Sequence, residues 1–283
     1  MAGVEPRVDA GRRTVLRVLT AAGIGVIAGG ASHGFLYERH RIGVTRATLP
    51  VSGLPRALDG LRVVMLTDLH LSPTVPREDL EVAVRLAMGE RPDLIVLGGD
   101  YISFMDRGYA EPCAEVLAPL SAPHGVFAVL GNHDDDVEMP RVLERRGFEV
   151  LKDARTTAII RGERLDFIGI RFWTRATVDL ARLLKGAGGT TVLLAHDPRR
   201  LQQAAALNIP LMLSGHTHGG QIVLPGLGAI AAKKFPLVAG SARRENTTVF
   251  VSRGIGTVYV PCRINCPPEV AVLTLQRFVA TPV

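Results

Sequence analysis

The chain has 283 residues, 47% of them hydrophobic and 21% charged, which excludes a disordered or fibrous protein and supplies one large core or two modest ones. Its net charge of +6 suggests a polyanionic partner, but seven arginines against three acids within residues 1–50 leave only +2 for the rest. A nearly neutral body gives no support for nucleic-acid binding, and no specific nucleic-acid partner is expected.

The basic excess has a local source. Gly11-Arg12-Arg13-Thr14-Val15-Leu16-Arg17 sets an arginine pair ahead of the uncharged stretch Val18 to Leu36, rich in Ala, Gly, Val and Ile. A polar n-region, paired arginines and a mildly apolar h-region resemble a twin-arginine export signal. Gly23, Gly25, Gly29 and Gly30 argue against a stable soluble helix here. Gly29-Gly30-Ala31 suits cleavage after Ala31, and the span is also long enough to remain as a membrane anchor. Residues 1–40 are therefore expected to engage the twin-arginine machinery and to contact the membrane, as signal or anchor. Residues 41–283 would form the body, exported across the cytoplasmic membrane.

From Arg41 the pattern is that of one α/β domain. Apolar runs fit for buried strands recur at Leu61 to Leu66, Leu94 to Leu97, Val126 to Leu130, Leu165 to Ile170, Val192 to Ala195, Pro210 to Leu213, Thr248 to Val251 and Val270 to Leu275. Helical patterns over Arg77 to Met88, Glu111 to Leu120 and Val137 to Arg146 alternate with the early strands, which predicts a parallel or mixed sheet with helices on its faces. The stretch Gly219 to Asn246 reads as a long loop or irregular hairpin. Of the three cysteines, Cys113 is a core residue of the second helix, and Cys262 and Cys266 are spaced to close a short loop in an oxidising compartment.

Open α/β sheets place their ligands beyond the carboxyl ends of the strands. Those ends here run into Thr67-Asp68-Leu69-His70, Gly98-Gly99-Asp100, Gly131-Asn132-His133-Asp134, Ala195-His196-Asp197 and Ser214-Gly215-His216-Thr217-His218. Five of the eight histidines lie at such ends, a distribution scattered surface histidines would not give. In the last motif, residues i and i+2 of an extended segment point the same way, so two rings can serve one corner. Asp134, Asp135 and Asp136 read as caps of the following helix, Asp197 likewise, and His124 as a loop residue.

The five motifs, in this order and spacing, resemble the calcineurin-like metallophosphoesterase family from about Arg41 to the C-terminus. Gly53-Leu54-Pro55, His218-Gly219-Gly220-Gln221 and Ser252-Arg253-Gly254-Ile255-Gly256 narrow the resemblance to its exported, bacterial phosphodiesterase-type branch. The resemblance implies an α/β fold of two sheets in a sandwich flanked by helices, four αββα layers. It assigns one metal to Asp68, His70, Asp100 and His218, and a second to Asp100, Asn132, His196 and His216, with Asp100 bridging. Such a mixed oxygen and nitrogen set suits two divalent or mixed-valence ions of manganese, iron, zinc or cobalt. Ions about 4 Å apart can share a hydroxide and clamp phosphate oxygens.

His133 is left by the same pattern to protonate or stabilise the leaving oxygen. Many relatives orient it with an Asp three residues after the bridging Asp, where this chain has Ser103, so Asp106, Asp134 or a water would have to substitute. The implied function is hydrolysis of phosphoric esters, foremost phosphodiesters. The alternatives are a monoesterase or pyrophosphatase on an envelope precursor, and a non-catalytic metal-binding scaffold.

Overall fold

The computed structural model describes residues 10–173 and 177–278; residues 1–9 of the expected signal lie outside them. In chain order the elements are α1 (Ala10–Leu36), β1 (Gly43–Ser52), β2 (Arg62–Leu66), α2 (Arg77–Gly89), β3 (Leu94–Leu97), α3 (Ala110–Leu117), β4 (Val126–Ala128), α4 (Glu138–Glu144), β5 (Glu149–Val150), β6 (Ala154–Ile160) and β7 (Glu163–Ile170). They continue with α5 (Thr177–Leu184), β8 (Thr190–Ala195), α6 (Leu201–Ala206), β9 (Leu211–Ser214), β10 (Val223–Leu224), β11 (Gly228–Ala229), β12 (Gly240–Arg244), β13 (Thr247–Val251) and β14 (Glu269–Phe278).

Two six-stranded sheets form, in the orders β1-β14-β2-β3-β4-β5 and β12-β13-β9-β8-β7-β6. Strands β2 to β5 run parallel in the first, and β13, β9, β8 and β7 in the second. The central strands are apolar throughout because both faces are covered. Val63 and Met65 of β2 point into the space between the sheets, whereas Val64 and Leu66 point outward onto the layer of α2, α3 and α4. In the second sheet Val192 and Leu194 of β8 meet that shared inner core, and Leu193 and Ala195 meet α6. Helix α2 follows the same logic, burying Leu80, Ala83, Val84 and Ala87 at a helical i, i+3, i+4, i+7 spacing. The layers are helix, sheet, sheet, helix, as expected.

Strands β1, β6 and β12 lie at sheet edges, and the sequence pattern did not reveal them. Each mixes polar residues into its run, as in Thr45, Arg46 and Thr48 of β1, because an edge strand need bury only part of its surface. The expected loop 219–246 contains the short hairpin of β10 and β11 and all of β12.

Helix α1 runs continuously for 27 residues through its glycines. Its flanks are uncovered, with Val15, Leu16, Val18, Leu19 and Ile24 all more than half exposed. The helix is long and apolar enough to cross a membrane by length and composition. Among the described residues, the contacts of α1 with the body gather at its end. Arg263 N–H donates to Gly34 O at 3.2 Å, and a Cβ on Gly34 would lie 2.6 Å from Cys262 Sγ. Beyond the helix, the buried Glu38 carboxylate accepts from Asn265 N–H at 3.1 Å and Cys266 N–H at 2.6 Å. Cys262 and Cys266 are buried free thiols rather than a bridge, one packed on α1 and the other donating to His218 O. Cys113 is a buried free thiol in α3, as expected.

Candidate metal centre

Strands β2, β3 and β4 of one sheet and β8 and β9 of the other end at a common place, and each is followed by a residue with ligand chemistry. The chain turns there through strained backbone. Asp68, His70, Asp100, His216 and His218 all hold φ between 52° and 72°, a left-handed region that non-glycine residues enter at a cost. Two glycines let the carboxylates approach. A Cβ on Gly131 would collide with the Asp100 carboxylate, and one on Gly215 with that of Asp68.

Two groups result. Asp68, His70 and His218 form one, and Asp100, His196 and His216 the other, with the ligand atoms of each group within 4.8 Å of one another. Asp100 Oδ2 lies between them, 3.4 Å from His70 Nε2 and 3.0 Å from His196 Nε2. Asp68 Oδ1 is 3.4 Å from His218 Nε2 and 3.8 Å from His196 Nε2. His70 Nε2 and His218 Nε2 approach to 3.1 Å, an arrangement that suits two lone pairs aimed at one cation. Asn132 and His133 border the same cavity as Asp100, His216 and His218, so all eight expected residues are gathered here.

The outer nitrogens of the rings are held by the protein, which leaves Nε2 facing inward. His196 Nδ1 donates to Gly98 O at 2.8 Å, His218 Nδ1 faces Gly256 O at 3.4 Å, and His70 Nδ1 lies 3.2 Å from Ser103 Oγ. The Asp68 carboxylate accepts from Thr67 Oγ1 at 2.9 Å and from His216 N–H at 2.9 Å, and Asp100 Oδ1 accepts from His133 N–H at 2.8 Å.

Burial lowers His70 to about 3 and His216 to about 4, and holds His218 well below the usual range, so these rings are neutral with lone pairs available. Burial also raises Asp68 to about 6. His196 differs: burial disfavours its charge, but Asp100 and Asp68 outweigh that and raise the ring to about 10. The paired carboxylates thus call for positive charge in their midst, which divalent cations can supply as well as a proton. Two buried atoms fit such cations. Asn132 Oδ1 and His196 Nε2 lack a hydrogen-bond partner, the latter lying near Asp100 without the alignment a hydrogen bond needs.

Ser103 does not face His133; its hydroxyl serves His70 instead. His133 Nδ1 accepts the Phe104 backbone N–H at 3.2 Å, which fixes Nε2 as the protonated nitrogen of the neutral ring. Neither Asp106 nor Asp134 substitutes. Asp106 accepts from Gly108 N–H. Asp134 is not the helix cap expected either, for its oxygens accept from the backbone of Asp100, Tyr101 and Gly131 at 2.7–2.8 Å and so brace the loop carrying Asp100. Asp135 does cap α4, through Val137 and Glu138 N–H, while Asp136 pairs with Lys152 and Arg171. Asp197 accepts from Arg199 N–H in the turn after β8, as expected.

Sequence reasoning missed Arg263, whose fully buried guanidinium donates to the carbonyls of Arg253, Gly256 and Cys266 at 2.6–3.2 Å and reaches His218 O at 3.4 Å. A lone arginine among cysteines carries no sequence signal of that role.

Residues 61–220 match the calcineurin-like phosphoesterase family. A metallophosphoesterase of Bacillus subtilis, YkuE, is 30% identical over 90% of this chain and 93% of its own. This chain belongs to the calcineurin-like phosphoesterases. Phosphodiesterase YaeI of Escherichia coli is 31% identical over 76% of this chain and 82% of its own. A transmembrane protein with a metallophosphoesterase domain from Danio rerio is 31% identical over 94% of this chain and 63% of its own. The family is one of metal-dependent hydrolases of phosphoric esters.

Proposed function

We propose that the chain hydrolyses phosphodiesters at a two-cation centre bridged by Asp100, with Asp68, His70 and His218 completing one site and Asn132, His196 and His216 the other. The observation that carries this reading is the pair of ligand groups, beside which Asn132 Oδ1 and His196 Nε2 lie buried without partners. Bound divalent manganese, iron, zinc or cobalt would offset the charge of the phosphate oxygens and acidify a water.

The protein's own part is positional. Carboxylates fixed by backbone N–H groups and imidazoles fixed through Nδ1 hold the donor atoms still. His133 lines the same cavity with its Nδ1 engaged by Phe104 N–H, which leaves Nε2–H to donate to the oxygen that leaves phosphorus. The name of the Escherichia coli relative supports the diester reading. The test is hydrolysis of bis(p-nitrophenyl) phosphate by the purified chain. Turnover should vanish with chelator and return with added manganese or zinc; turnover indifferent to chelator would refute the reading.

The exposed α1 supports residues 1–40 as an export signal or anchor for a body over 41–283, and the transmembrane relative supports a membrane link. Replacing Arg12 and Arg13 by Lys should leave folded, active protein in the cytoplasm. Unchanged delivery across the membrane, measured by fractionation, would refute an arginine-pair signal.

A further inference from the structure

The cavity over the metal centre combines the polar residues of that centre with a largely apolar wall. It encloses about 580 Å³, within the roughly 300–1,000 Å³ of small-molecule sites, with Asp100, Asn132, His133, His216 and His218 at one end. The remaining wall is largely hydrocarbon: Ile222, Leu224, Ile230, Phe235, Val258 and Val260. This wall continues to the surface, for Ile230 is 50% exposed, Val260 43% and Tyr259 79%. A site for small hydrophilic phosphoesters has no use for such a wall, and an apolar surface open to water has a cost.

The mouth lies beside the membrane-length helix. Val258, Tyr259 and Val260 run directly into Cys262, Arg263 and Ile264, against which Gly34 near the end of α1 is packed. Cys262 follows Val260 by two residues, at most about 7 Å along an extended chain. Gln221 clamps the same segment, accepting from Val258 N–H at 3.1 Å and donating to Val260 O at 2.7 Å. The 27 residues of α1 are about 40 Å long, more than the roughly 30 Å of a bilayer core. With α1 in a membrane, the apolar mouth therefore opens close to its surface. Lys233 and Lys234, both exposed and the second bordering the cavity, suit the anionic headgroup level.

We infer that the substrate is an amphiphilic phosphodiester drawn from the bilayer, its phosphate at the metal centre and its hydrocarbon chain along the wall formed by Ile222, Leu224, Ile230, Phe235, Val258 and Val260. This rests on the hydrolase reading above and adds the class of substrate to it. In the reaction a water oxygen forms a new bond to phosphorus while one ester P–O bond breaks. The electron pair of that bond leaves with the ester oxygen, which takes up a proton, and the products are a phosphate monoester and an alcohol.

The test compares three diesters with one leaving group: p-nitrophenyl octyl phosphate, p-nitrophenyl methyl phosphate and the p-nitrophenyl ester of thymidine 5′-phosphate. The full chain is reconstituted in phosphatidylcholine vesicles with manganese. The octyl ester should exceed the methyl ester in kcat/KM by roughly tenfold or more, since each buried methylene adds to binding. The preference should collapse towards one in Ile230→Asp and in Val260→Asp, both at exposed positions where folding tolerates the charge; a preference due only to partitioning into vesicles would survive both changes and overturn the inference. Equal kcat/KM for octyl and methyl esters, or preference for the nucleoside ester, would overturn it while leaving the hydrolase reading intact. No turnover of any ester would bring down that reading and this inference together.

Discussion

Asp68, His70 and His218 sit on a closed side of the centre, at most 3% exposed, whereas Asn132 and His216 sit on an open side and are only partly covered. The closed side is backed by distant parts of the chain: Ser103 behind His70, Gly256 and the carbonyl network of Arg263 behind His218, and α1 beyond that network. The open side is flanked by rings, with Phe172 and Phe235 at 5.1 and 5.2 Å from His216. The difference separates two tasks. Buried hydrogen-bond partners fix the donors on the closed side, and aromatic rings flank the donor that stays partly uncovered on the open side.

The largest effect expected on the open side is that of His133→Ala. With His133 acting as proton donor and not as ligand, as proposed, the variant should keep its metal and lose roughly 10²- to 10⁴-fold in turnover. The loss should be smaller on a nitrophenyl ester, whose leaving group needs no proton, than on an alkyl ester. Metal loss in this variant, by elemental analysis, would make His133 structural.

Arg263→Met probes the closed side. It leaves the carbonyls of His218, Gly256, Arg253 and Cys266 without their donor in a buried place, so stability should fall by about 3 kcal/mol in urea denaturation. Arg199→Met, beside the open side and half exposed, should change it by no more than about 0.5 kcal/mol. Equal shifts of the two midpoints would erase the contrast.

A smaller effect is expected at Asp135, which caps α4 on the open side. Burial disfavours its charge, but Glu138 N–H, the Arg107 guanidinium and Val137 N–H outweigh burial and hold the carboxyl below the usual range. A depressed folded pKa means that the contribution is present above the unfolded value, about 3.9, and is lost as pH falls through the folded one. Asp135→Ala should therefore cost about 1 kcal/mol at pH 7. The difference from the parent chain should shrink in denaturation series taken below about pH 4; a constant difference down to the acid end would mean the cap does not act through its charge.

Much of this was legible in the sequence because strand ends and ligands coincide. Apolar runs marked the central strands, and Asp68, His70, Asp100, Asn132, His196, His216 and His218 stood directly after them. The edge strands β1, β6 and β12 were not legible, since a strand with part of its surface in water carries no continuous apolar run. The closed side was hidden for another reason. Arg263 meets His218, and Glu38 meets Cys266, across separations of 45 and 228 residues, and no local pattern encodes such pairings. Ser103 marks in the sequence only the place where many relatives carry an Asp, because sequence position alone does not say which ring a side chain faces. The N–H of Phe104, which does orient the His133 ring, belongs to the backbone and leaves no mark in the sequence.

The central claim is one centre of two cations joined by Asp100, and it is tested most directly by counting divalent ions per folded chain in the parent protein and in Asp100→Asn. Asp100 Oδ2 stands 3.4 Å from a ring of the first group and 3.0 Å from a ring of the second, so losing its charge should weaken both sites. The expected result is two ions per parent chain, one or fewer in the variant, and no measurable hydrolysis of bis(p-nitrophenyl) phosphate by the variant. An Asp100→Asn protein that keeps two ions and near-normal turnover would contradict it.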